Sequence, residues 1–211
     1  MDKATVRAMQ MPASAVRPSE TATAHLVQLF DSEQSIIEGV AQFVREGFWK
    51  GEQILVLMDE ERWNAVTMRL ALLGCAADDA VRFGRIIVRD THDTLKKFMV
   101  ADRPHPRLFA AAVEALVEGQ AAFGRSVRIY GELVDVLAAQ GNYRAAHELE
   151  ELWNDLATRH RFTLLCGYIA GHFGDPQNAA DLRRICAAHR TVAVDPEDVL
   201  ASFLVKRLDA A

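Results

Sequence analysis

Residues 53–58 read QILVLM, an uncharged run rich in β-formers that lies between Gly51 and Asp59. Six residues without polar alternation suit a strand covered on both faces, as in a parallel sheet sandwiched by helices. The same strand-then-helix alternation extends in both directions. Upstream, 26–30 is a strand candidate, and the helix after it carries Ile36, Val40, Phe43 and Val44 on one face, Asp31 or Ser32 as its cap, and Gly47 and Gly51 as its stop. Downstream, Asp59 can cap a helix with Trp63, Val66, Leu70 and Leu73 inward, ended by Gly74, before a third strand at 85–88.

Further along, 91–99 reads as a short helix or lid, and Pro104 and Pro106 part it from a long helix at 107–123. A fourth strand falls at 127–131 and a fifth at 162–168, with helices at 132–139 and 143–160 between them. A helix from Asp175-Pro176 to about 189 and another opened by Asp195-Pro196 complete the pattern. The alternation predicts an α/β fold: one domain with a mostly parallel central sheet of about five or more strands, flanked by helices.

Of 211 residues, 50% are apolar and 25% charged, the balance of a globular chain rather than a disordered or fibrous one. Residues 1–24 differ, with Pro12, Pro18 and no aromatic residue, and are expected to form a flexible tail. The folded domain is then placed at 25–190 and a C-terminal helical element at 191–211. With 24 Lys+Arg against 29 Asp+Glu the net charge is -5, so no field draws the chain to phosphate backbones or anionic lipid, and neither nucleic acid nor membrane is expected as a direct partner. Cys75, Cys166 and Cys186 show no CxxC spacing, and no signal-peptide core or long apolar span is visible, which predicts a cytoplasmic protein.

In an open parallel sheet, ligands bind beyond the carboxyl ends of the strands. That rule picks out Asp31 and Ser32, Asp59, Asp90 and His92 with Thr91, Glu132, and Tyr168 with His172 nearby as ligand-binding candidates. With Arg89 read as the one cation close to these ends, the acidic rim favours a neutral or cationic small ligand. Asp31, Asp59 and Thr91 also have a purely structural reading as helix caps. Glu132 stands out because it directly follows a buried strand, RIYGE, where a carboxylate must find partners or shift its pKa.

Cys166, inside LLCGY, reads as a small buried hydrophobe without a basic neighbour to activate it. His25, His92, His172 and Cys166 lack close ligand spacing, so no metal is expected. The segment 30-FDSEQSII-37 has neither the glycines nor the lysine of a phosphate loop, and no GxSxG, HExxH or kinase motif is present. The chain is therefore expected to be non-catalytic and to need no cofactor.

Five stretches together, HLVQLF at 25–30, FVREGFWKGEQILVLMD at 43–59, RIYGELVDVL at 128–137, HELEELWNDL at 147–156 and FTLLCGYIAGHF at 162–173, resemble the MEDS domain, the methanogen/methylotroph DcmR sensory domain. The resemblance implies a RecA/KaiC-like fold with a degenerate phosphate loop. It implies service as a sensory module in transcriptional regulators and histidine kinases, with small hydrocarbon derivatives as proposed signals. By matching position, the characteristic residues are His25, Gly47, Gly51, Glu52, Glu132, Glu150 and Cys166.

The leading expectation is a non-enzymatic sensory protein that binds a small organic ligand or a regulatory protein. Its output would pass through a partner or through self-association, for which Val199, Phe203, Leu204 and Leu208 of the last helix offer an apolar stripe. Two alternatives stay open: a degenerate module that binds nucleotide without hydrolysis, and a small-molecule enzyme using Glu132 as acid or base.

Overall fold

The computed structural model describes residues 23–209. Residues 1–22 of the expected tail lie outside the described residues. Six strands, β1 (Ala24–Phe30), β2 (Gln53–Leu57), β3 (Ile86–Arg89), β6 (Val127–Gly131), β7 (Phe162–Ile169) and β8 (Thr191–Val194), form one sheet in the order β3-β2-β6-β7-β1-β8. All its pairings are parallel. The intervening β4 (Met99–Val100) and β5 (Arg103–Pro104) make a separate antiparallel hairpin. The helices are α1 (Glu33–Trp49), α2 (Glu60–Leu72), α3 (Ala77–Arg82), α4 (Thr91–Lys96), α5 (Pro106–Phe109), α6 (Ala115–Ala121), α7 (Leu133–Ala139), α8 (Tyr143–Arg159), α9 (Ala179–Ala187) and α10 (Val199–Asp209).

Successive side chains of each strand enter opposite layers, which is why the central runs carry no polar alternation. Ile54, Val56, Leu26, Phe30, Tyr130 and Leu165 pack with Ile36, Val40, Trp63 and Val66 of α1 and α2 on one face. Leu55, Leu57, Val27, Leu29, Ile129 and Leu164 pack with Phe109, Val117, Leu137, Leu149 and Trp153 on the other. The result is a single α/β domain, a six-stranded parallel sheet between helices. Among the described residues, no helix is long and apolar enough to cross a membrane.

Several elements depart from expectation. Residues 191–194, placed by the sequence pattern in the C-terminal helical element, are β8, a four-residue edge strand beside β1 that a pattern search passes over because so few residues carry it. α3 is also unmarked in the sequence, since Ala76 at its N-cap offers no side-chain hydrogen bond. The helix expected at 107–123 is divided into α5 and α6 by a wider π turn over Ala110–Glu114.

The stripe expected on α10 is rotated. Ala201, Leu204 and Val205 are buried against the domain with Leu208 packed beside them, whereas Val199 and Phe203 are 72% and 54% exposed.

Candidate functional site

The carboxyl edge of the sheet gathers most of the expected rim. Ser32 caps α1 in a reciprocal capping box with Ser35, Asp59 accepts the N–H groups of Glu61 and Arg62 at the start of α2, and Asp90 accepts that of Asp93 in α4. His92 lies exposed beside Asp90. Asp31 does not cap its own helix. Its carboxylate accepts the N–H groups of Leu200 (2.7 Å) and Ala201 (2.8 Å), and the Asp31 N–H donates to Asp198 Oδ1 at 3.2 Å, so the end of β1 holds the first turn of α10.

At the middle of the edge Glu132 is 3% exposed and fully engaged. Its Oε1 accepts the Asp59 N–H at 2.7 Å and the Thr91 hydroxyl at 3.4 Å, and its Oε2 accepts Arg62 Nη1 at 2.5 Å. Arg62 also makes a two-pronged contact with Glu33, at 2.8 and 2.6 Å. Burial pushes the Glu132 carboxyl above its ordinary range, outweighing the pull of Arg62 and the Asp59 N–H. Burial acts on Arg62 in the opposite sense, but Glu33 and Glu132 hold it more firmly protonated. The rim therefore contains a central cation besides Arg89, which corrects the expectation: Arg62 bridges the ends of β1 and β6 through Glu33 and Glu132.

The remaining rim candidate, Tyr168, lies elsewhere. With His25, Glu150, Cys166 and His189 it forms a closed polar centre between the sheet and α8, where His25 of β1 and Cys166 and Tyr168 of β7 meet Glu150. Tyr168 donates to Glu150 Oε1 at 2.8 Å. His25 Nε2 and His189 Nε2 lie 3.1 and 3.3 Å from Glu150 Oε2, and the two imidazole rings are 4.1 Å apart. Burial drives the Glu150 carboxyl up, and the histidines His189 and His25 more than reverse this, leaving it below the usual carboxylate range. Burial raises both the Cys166 thiol and the Tyr168 phenol.

Of the four residues once weighed as ligands, only His25 and Cys166 meet; His92 is exposed and His172 pairs with Asp135 at 3.4 Å. His189 and Asn154 complete the centre and were not singled out in the sequence. Asn154 stands one helical turn from Glu150 on α8, a spacing that could have been read; His189, just past α9, carries no local signal.

The family profile described as MEDS: MEthanogen/methylotroph, DcmR Sensory domain matches residues 24–190, from the first residue of β1 to the residue before β8. The chain belongs to the MEDS family. It thus carries a sensory domain, and no curated protein matches it.

Within this MEDS domain the EGxxxGE turn has a mechanical purpose. Gly51 has φ +74°, a left-handed conformation that glycine adopts without penalty, and it turns the chain from α1 into β2. Glu46 and Glu52 on either side of the turn grip Arg128 of β6, through Nη1 at 3.2 Å and Nε at 2.5 Å, while its guanidinium stacks over Phe43. A Cβ at Gly47 would come within 2.6 Å of Arg128 Cδ, so the glycine makes room for the buried arginine. Gly167 of the LCGY run acts similarly on the opposite layer from Cys166 and Tyr168, giving space to the Tyr130 ring. A cleft of about 370 Å³ shares no lining residue with either site: its walls are Tyr143, Arg144, His147, Glu148, Glu151, Asp181 and Arg184, mostly charged side chains.

One pH effect follows from His172. Its hydrogen bond to Asp135, whose Oδ1 also accepts the Ile169 N–H, raises the imidazole pKa above the ordinary value despite partial burial. A raised native pKa contributes stability that is complete below about 6.5 and is lost as pH rises through the native value. Against His172→Gln, the wild type is expected to lose up to about 1 kcal/mol of relative stability between mildly acidic and mildly alkaline pH. Denaturant titrations at a series of pH values check this, and parallel curves for the two proteins would refute it.

Proposed function

We propose that this MEDS protein is a non-catalytic sensor that takes a small neutral or cationic organic ligand, or a segment of a regulatory protein, at the carboxyl edge of its sheet, and acts in transcriptional or two-component regulation. Binding at Glu132, Asp59, Asp90 and His92 displaces the Arg62 bridge. The ends of β1 and β6 are then free to shift, and Asp31 carries that shift into α10. The observation that carries this reading is the tie between Asp31 and the N–H groups of Leu200 and Ala201, which couples the rim to a helix whose outer residues Val199 and Phe203 face solvent. Self-association or partner docking through those two residues supplies the output.

An acid-base role for Glu132 is less well supported. The raised pKa suits a general acid, but the carboxylate is enclosed and both oxygens are already engaged. A nucleotide module lacks the lysine and the glycine nest at 30–37, and acidic groups dominate the rim.

Thermal shift with nucleotides and small polar organics, tried side by side, tests the reading. A ligand at 100 times its Kd adds about 2.7 kcal/mol, or roughly 5–10 °C for a domain of this size. The expected hit is an organic compound that also changes hydrogen exchange at 199–201. Stabilisation by nucleotide alone would replace the reading with the nucleotide-binding one, and a stabilising organic that left α10 unaffected would remove the coupling.

A further inference from the structure

We propose that His25, Glu150, Cys166 and His189 are the four ligands of a single divalent transition-metal ion of the zinc class. This goes beyond the rim reading and does not depend on it.

The first support is the shape of the donor set. One ligand atom from each residue lies within 4.8 Å of all the others, and all four residues are buried. Zinc bonds of about 2.0–2.1 Å to imidazole and carboxylate and about 2.3 Å to thiolate give tetrahedral edges of about 3.3 Å between nitrogen and oxygen and about 3.5 Å to sulfur. The observed edges are 3.1 Å for His25 Nε2 to Glu150 Oε2, 3.3 Å for His189 Nε2 to the same oxygen, 3.4 Å for His25 Nε2 to Cys166 Sγ, and 3.3 Å for Cys166 Sγ to Glu150 Oε2. Four of the six edges are thus close to those the ion requires, and the two remaining ones, from His189 to His25 and to Cys166, are within 4.8 Å.

The second support is the direction of the lone pairs. His189 Nδ1 lies 2.7 Å from the Ile185 carbonyl, which can only accept, so the ring proton sits on Nδ1 and a neutral His189 turns a bare Nε2 toward the carboxylate. His25 Nδ1 lies 2.9 Å from Asn154 Oδ1, and the Asn154 amide is oriented by its own donation to the Ala188 carbonyl at 3.0 Å, so His25 is fixed in the same tautomer. Metal-binding histidines are held in this way, with the far nitrogen donating to a carbonyl or amide oxygen. A protonated ring would instead donate to the carboxylate; in this neutral tautomer both Nε2 atoms turn their lone pairs toward Glu150 Oε2, which has the Cys166 S–H at 3.3 Å as its donor. His189 Nε2 shows the consequence: it is completely buried and has no hydrogen-bond partner, despite lying 3.3 Å from Glu150. A cation satisfies all of these atoms at once.

Binding needs no redox partner. The Cys166 S–H bond breaks, its proton leaves to solvent, the sulfur keeps the electron pair and donates it to the metal, and thiolate plus carboxylate neutralise the 2+ charge. Four protein ligands leave no open position, so the ion is structural. It joins β1 and β7 to α8 and to the turn before β8, cross-linking the beginning and the end of the sensory domain.

The test uses the full chain, stripped with a chelator and titrated with Zn²⁺ and Co²⁺. The expected result is one ion per chain, a higher Tm, and a thiolate-to-cobalt charge-transfer band that Cys166→Ser abolishes. His189→Gln is expected to weaken binding at least about tenfold. Asn154→Ala, which retains every ligand, should weaken it about 10- to 100-fold. The partly exposed group Glu114, Glu118 and His160 is the internal control, and His160→Gln should leave binding intact. Circular dichroism of each metal-free variant shows that it is folded. Sub-stoichiometric binding by the wild type, a band that survives Cys166→Ser, or loss of binding in His160→Gln would overturn the assignment.

Discussion

Replacing Arg128 with methionine is expected to lower stability by about 3 kcal/mol, near the lower end of the range for removing one partner of a buried ion pair. For a domain of this size that is a fall in Tm of roughly 6–12 °C. Methionine keeps most of the apolar stem, so the loss is chiefly electrostatic: Glu52, 13% exposed, loses its Nε donor, and Glu46 and the Phe43 carbonyl lose Nη1. Water still reaches Glu46, which is 34% exposed, and this keeps the cost from the upper end.

The same geometry predicts a coupling. Gly47→Ala in the wild type places a Cβ against Arg128 Cδ, an atom held by two carboxylates and a ring, and should cost about 1–3 kcal/mol as an overpacked core site does. In the Arg128→Met background the neighbour is a flexible thioether chain that can swing away, and the cost should fall by more than half. Urea or thermal unfolding of the two single variants and the double variant measures this. Additivity within about 0.5 kcal/mol would mean that Gly47 does not make room for Arg128.

The fold was legible where burial on both faces erases polar alternation, as in QILVLM, RIYG and FTLLCGY. It was not legible where tertiary support replaces local signals: β8 is ordered by lying beside β1, and α3 forms without a cap. The same division holds for the sites. Cys166 taken by itself read as a small buried hydrophobe, and it, His25 and Glu150 were marked only by the family resemblance, whereas Glu132 was marked by the buried strand it follows. Arg62 was not, because an arginine in the first turn of an amphipathic helix has the pattern of a solvated residue, and only the long reach of its side chain brings it to Glu132 and Glu33. His189 was invisible for a related reason: it reaches Glu150 only once the α9–β8 turn has closed over β1, where the Arg190 N–H donates to the His25 carbonyl.

Glu132 separates two accounts of the rim more sharply than any other position. Glu132→Ala leaves the Asp59 N–H without its acceptor and Arg62 with Glu33 alone, and is expected to cost about 2–4 kcal/mol, from one orphaned donor and one lost charged hydrogen bond. Glu132→Gln retains an oxygen for the Asp59 N–H and removes the desolvated charge. Since burial raises the native carboxyl pKa, the folded state carries the ionised form at some expense, and the neutral isostere is expected to fall within about 1 kcal/mol of wild type at neutral pH.

The sign of the pH dependence makes the comparison decisive. A group whose native pKa is raised contributes stability that is fully present below its unfolded value, near 4.3 for glutamate, and is lost as pH rises through the native value. The wild type should therefore lose stability relative to Glu132→Gln as pH rises from about 4 through the raised native value. If Glu132→Gln were instead as damaging as Glu132→Ala at neutral pH, the ion pair with Arg62 would outweigh desolvation, and the bridge across β1 and β6 would be a permanent strut rather than a latch that a ligand can open.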